Sequence, residues 1–90
     1  MSTTRAQASA TSVVTVTFDR IGRSSDVPPL PVELNVQAPN AADLLAEAVW
    51  RYAGKFLVSR DYAVDLDLTT GRGNIGWGRF GSFTFPAVTR

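Results

Sequence analysis

Asp61, Asp65 and Asp67 are the densest group of carboxylates in this sequence of 90 residues. Successive side chains of an extended strand point to opposite faces, so these three carboxylates would share one side. Asp65 and Asp67 are then close enough to hold a hard cation between them. No other carboxylate is placed by the local sequence to complete such a shell. The same spacing describes the solvent face of a strand buried on its other side. We expect that solvent face, with an arginine beside it to offset the crowded negative charge, and no bound metal.

The groups that most often do covalent or acid–base work are missing. The chain has no histidine and no cysteine, and Lys55 is its one lysine. No imidazole or thiolate can act as nucleophile, general base or soft metal ligand. The remaining hydroxyls lack the usual activating partners. The expectation is a protein that is not an enzyme, with no cofactor and no small-molecule substrate. A net charge of +1 is too small to indicate nucleic acid or a membrane by itself.

Three groups of residues could instead bind a partner. Trp50 falls near the centre of the polar arc of a helix, beside Ala46 and Ala53. A tryptophan framed by small residues is a candidate interface anchor, because this side chain is enriched among interface hot spots. Trp50, Ala46 and Phe80 are therefore the expected protein-contact residues, and loss of Trp50 is expected to leave monomer stability nearly unchanged. The run from Gly71 to Gly81 mixes glycine, arginine and aromatic residues, as surfaces that stack bases and meet phosphates do. It matches neither the RNA-recognition signature nor a phosphate-binding loop, and tight turns are the preferred explanation of its glycines. Trp77 alternates in register with Ile75 and is expected in the core. Arg20 and Arg23 flank Gly22 in a long first loop, where Asp19 and Asp26 largely balance them.

The elements that must position these residues follow from periodicity. Residues 1–12 read as a disordered tail, and a single domain spans 13–90. A first strand runs from Val13 to Phe18, with Val14, Val16 and Phe18 on one face. Residues 19–31 form a connection in which Pro28, Pro29 and Pro31 exclude helix. A second strand covers Val32 to Gln37. The helix starts after Asn40, a favourable N-cap, and stops near Gly54. Its apolar stripe is Ala41, Leu44, Leu45, Ala48, Val49 and Tyr52. Asp61 to Leu68 alternates clearly. Asn74 to Trp77 and Ser82 to Phe85 are short strands around a turn at Gly78–Gly81, or one long strand kinked by glycine.

One helix with one apolar stripe covers one face of a sheet. The expected fold is therefore α+β, a two-layer sandwich of one helix on a four- to five-stranded sheet, in the order β-β-α-β-β followed by a fifth strand where the last segment divides. A right-handed crossover permits the strand order 2-1-3-4-5. The joined-strand alternative permits a β-grasp, ubiquitin-like arrangement with the last strand beside the first, and this is the expected arrangement.

Phe18-Asp19-Arg20-Ile21-Gly22-Arg23 leading to Val27-Pro28-Pro29-Leu30, the helix opening Ala42-Asp43-Leu44-Leu45-Ala46-Glu47, and Ser59-Arg60-Asp61 running into Val64-Asp65-Leu66 carry one resemblance. Over about residues 13–85 the chain resembles small bacterial proteins of unknown function borne by actinobacterial genomes, of the plasmid and integrated-element type. The resemblance implies a cytoplasmic bacterial setting and transfers no functional residue. Met1 to Ser12 lacks the apolar core of a signal peptide, and no run approaches the ~18 apolar residues of a membrane span.

The expected function is a non-enzymatic protein-interaction module. It would bind a protein partner, or a second copy, through an exposed sheet edge or the Trp50 face of the helix. The alternative is a nucleic-acid-binding accessory protein using Arg20, Arg23, Arg72 and Arg79 with Phe80. Charge geometry separates the two, since nucleic acid requires these arginines to converge on one face away from the aspartates.

Overall fold

The computed structural model describes residues 11–58 and 61–87. Five strands and one helix follow in the order β1 (Thr11–Phe18), β2 (Leu30–Asn35), α1 (Ala41–Ala53), β3 (Val64–Asp67), β4 (Arg72–Ile75) and β5 (Gly81–Thr84). The strands form one antiparallel sheet in the order β2-β1-β5-β4-β3. The α+β class is as expected.

The strand order 2-1-3-4-5 is corrected. β3 lies at the far edge, and β5 takes the place beside β1. The last strand does neighbour the first, but through a hairpin with β4 and not through one long joined strand. β1 carries two ladders in succession. Thr11–Val16 pair with β2, and Thr17 and Phe18 pair with Thr84 and Phe83 of β5. The sheet curls, and α1 packs against both of its outer strands, β2 and β3.

The alternation in β1 holds as read, with Val14, Val16 and Phe18 buried and the intervening residues exposed. β1 begins two residues earlier than expected, so Thr11 and Ser12 belong to the sheet and not to a tail. Residues 1–10 of that tail lie outside the described residues. β2 also begins early, and Pro31 sits within it. Proline lacks a ladder donor, and β2 tolerates it because it is an edge strand.

The helix bounds agree with the sequence. Asn40 precedes α1 but makes no side-chain cap hydrogen bond, and Gly54 closes it by donating its N–H to Trp50 O. The helix phase differs. Its buried residues are Ala41, Leu45, Val49 and Ala53, while Leu44 is 44% exposed. At about 100° per residue this rotates the buried arc away from Leu44 and toward the Trp50 side. The fully buried Val16, Ile21, Leu45, Val49, Ile75 and Phe83 make the centre of the core. Among the described residues no helix is long and apolar enough to cross a membrane.

Candidate binding surface at the hairpin end

Trp77 is on the turn and not in the core. β4 ends at Ile75, which pairs with Gly81, so residues 76–80 form the hairpin loop. Arg79 N–H donates to Gly76 O at 3.0 Å, and Phe80 N–H donates to Ile75 O at 3.1 Å. Between them the backbone takes φ of 59° at Gly76, 58° at Trp77 and 86° at Gly78. Two central residues at positive φ suit a hairpin because they match strand twist, and asparagine or glycine is the usual occupant. Trp77 is instead a bulky residue with a Cβ in a conformation that disfavours one. It is 81% exposed, so packing offsets little of that strain. The expected core position failed because the turn begins two residues earlier than Gly78. The signal was present in the sequence, as two glycines flanking one residue.

Phe80, expected at an interface, is half-buried by its own chain. Its ring lies over Gly76, where an added Cβ would come within 2.3 Å of it. It also meets Tyr62 edge-on at 6.2 Å between centroids.

Tyr62 in turn stacks on Trp50 at 5.6 Å. The two residues exchange hydrogen bonds: Trp50 Nε1–H donates to Tyr62 O at 3.2 Å, and Tyr62 O–H donates to Trp50 O at 2.8 Å. Trp50 is thus half-buried against its own chain, as is Ala46 beside it. The rotated helix phase is the reason. It brings Trp50 from the centre of the polar arc to the flank, within reach of the segment entering β3. Trp50→Ala is now expected to lower unfolding stability by about 2–3 kcal/mol, below the full cost of emptying a buried tryptophan site. Chemical denaturation read by circular dichroism checks this, and an unchanged midpoint would mean that the Trp50–Tyr62 clamp is not formed.

The first loop is docked against the hairpin. Asp19 N–H donates to Ser82 O at 2.9 Å and Gly22 N–H to Phe80 O at 2.6 Å. Ile21 anchors the loop in the core, and Ile21 and Ser24 exchange two backbone hydrogen bonds of 2.9 Å across a tight turn. The Arg20 guanidinium then reaches two carbonyls, Gly22 O at 2.9 Å and Arg79 O at 3.1 Å. Arg20, Arg23 and Arg79 thereby line one groove of about 580 Å³, whose walls include Phe56, Leu57 and Phe80. Among the described residues no carboxylate lines it, and none of the three guanidiniums is in a salt bridge. Arg79 and Phe80 also border a second depression, shared with Asp61 and Trp77.

Arg72 does not join this group. It lies on the outer face of β4, and its strand partner is Asp67. Register sets Arg72 opposite Asp67, but the two form no salt bridge, so the expected offset of the aspartate face by an arginine is not seen among the described residues. Asp65 and Asp67 are both exposed, and the Asp67 carboxylate accepts hydrogen bonds from the Thr69 hydroxyl and backbone N–H. Those bonds favour the ionised form, the hydroxyl most, and hold its pKa below the ordinary aspartate value. Asp67 therefore works as a turn-closing group. Among the described residues no three carboxylates come together in a group that could hold a metal ion.

Comparison with known proteins adds no relative, since no family model, curated protein or solved structure matches the chain.

Proposed function

We propose that the chain is a non-enzymatic binding module. It meets a macromolecular partner with the loop end built from residues 19–24 and 76–80, and Trp77 is the contact residue. The observation that carries this reading is Trp77 itself, a tryptophan at φ 58° and 81% exposed. Backbone strain of this kind persists where the surroundings enforce it, and it gathers at binding and active sites. A residue that makes folding harder while burying little of its surface is accounted for by a contact outside the fold. The lack of imidazole and thiolate groups supports the non-enzymatic part.

The test separates folding from binding. Trp77→Gly places the residue type that suits positive φ, and we expect unfolding stability to stay level or rise by about 0.5–1 kcal/mol. Immobilised Trp77→Gly protein is expected to lose the partner that the parent protein retains from extracts of the producing cells. A stability loss above about 1 kcal/mol, beyond the usual range for surface substitutions, would make Trp77 a folding residue and end the reading.

A second reading keeps a protein partner at β2. Among the described residues that strand has no neighbour on its outer side, and Leu44 stands partly exposed in a groove with Val32 and Leu34. Exposed edges accept an added strand. Partner binding there would slow amide exchange in β2 and leave the emission of Trp77 unchanged.

A further inference from the structure

Resting on the binding end proposed above, we infer that its partner is single-stranded nucleic acid, with Arg20, Arg23 and Arg79 meeting phosphates and Trp77 stacking on a base. The first argument is charge. The whole chain carries a net charge of +1, yet three guanidiniums share one groove that no described carboxylate lines, and Asp61 borders only the adjoining depression at Trp77. The local excess calls for an anionic partner.

The second argument is preorganisation. Arg20 is held by two backbone carbonyls, Gly22 O and Arg79 O. Carbonyls orient a guanidinium without neutralising it. A guanidinium has five N–H donors, so donors remain for phosphate oxygens. The bond to Arg79 O ties the first loop to the hairpin, across 59 positions of sequence, while the bond to Gly22 O fixes the guanidinium within the loop. The groove is therefore part of the fold and does not need to assemble on binding.

The third argument is the exposed ring. Trp77 lies two residues from Arg79, on the other side of the same turn, where the two depressions adjoin. Any base offers a π face to such a ring, and stacking of this type is tolerant of sequence. Stacking requires an unpaired base, which favours a single strand over a duplex. A peptide of acidic residues alone would satisfy the arginines but would leave the exposed tryptophan face without a planar partner.

The experiment uses the full chain and a short fluorescein-labelled oligothymidylate, its uridylate counterpart, the matching duplex and polyglutamate, read by anisotropy and tryptophan quenching at several salt concentrations. Single strands are expected to bind at low salt, with a slope of log affinity against log salt of about −2 for three phosphate contacts. Arg79→Ala and Arg23→Ala should each make that slope shallower by about 0.7. Arg51→Ala, whose side chain pairs with Glu47 on the helix, should leave it unchanged. Trp77→Gly should weaken binding about tenfold or more while circular dichroism stays that of the parent. Duplex bound as tightly as single strand would overturn the inference. Quenching by polyglutamate in place of the oligonucleotides would overturn it in favour of an acidic polypeptide and leave the binding end standing. Saturation by neither also overturns it, and the retention experiment then judges the binding end by itself. Oligonucleotide binding unaffected by Trp77→Gly would sink both.

Discussion

Gly81→Ala is expected to remove a large part of the stability of the domain. A Cβ at this position would stand 1.9 Å from the backbone oxygen of Arg20 and 2.9 Å from its carbonyl carbon, and the residue has φ of +149°. The obstruction is backbone, so no side chain can rotate away. Neither strand can shift easily, because hydrogen bonds from Asp19 to Ser82 and from Gly22 to Phe80 hold the two segments on either side. Overpacking contributes about 1–3 kcal/mol and the forbidden backbone region about 1–3 kcal/mol more. A domain of this length has in total about 5–13 kcal/mol. We expect a loss of about 3–5 kcal/mol in urea melts, with early weakening of the groove, since Arg20 and Arg79 would separate. A melt within about 1 kcal/mol of the parent would mean that β5 does not begin against the first loop.

Leu45→Ala is expected to cost about 3–5 kcal/mol, whereas Leu44→Ala should cost less than about 1 kcal/mol. Leu45 is fully buried at the centre of the core, and its removal leaves a cavity that α1 and the curled sheet cannot both close. Leu44 is its neighbour in sequence and belongs to the apolar stripe by periodicity, yet it is 44% exposed. Denaturation of the two variants in parallel measures the helix phase directly. Equal losses would return α1 to the orientation that its sequence pattern suggests, and would free Trp50 from its clamp with Tyr62.

The local elements were legible because each depends on neighbours in sequence. Alternation from Val13 to Phe18 assigns the buried face of β1 without reference to any partner strand. Pro39, Asn40 and Gly54 mark the bounds of α1 by residue type, although the Asn40 side chain makes no cap hydrogen bond. The alternation from Asp61 to Leu68 is reproduced residue by residue, although only Val64–Asp67 is paired as strand. The α+β class follows from one amphipathic helix among amphipathic strands.

Three features were decided by tertiary structure alone. The first is strand order. Alternation says which face of a strand is apolar, but it does not say which strand completes the edge. Here β5 continues the ladder of β1 where β2 leaves off, which sends β3 to the far side. The second is the hairpin register. A shift of two residues preserves every in-and-out assignment, so Ile75 and Trp77 are equivalent by pattern, and only the positive φ at Gly76 and Gly78 ends the strand before Trp77.

The third is the groove lined by arginines. Arg20 and Arg23 come from one loop and Arg79 from a turn far along the chain, and their spacing in sequence carries no sign that they meet. Composition alone already determined that imidazole and thiolate chemistry are closed to this protein, because those groups are not in the chain. Where its guanidiniums gather, and which tryptophan faces outward, depended on the docking of the first loop onto the hairpin, a contact between distant segments that local pattern does not encode.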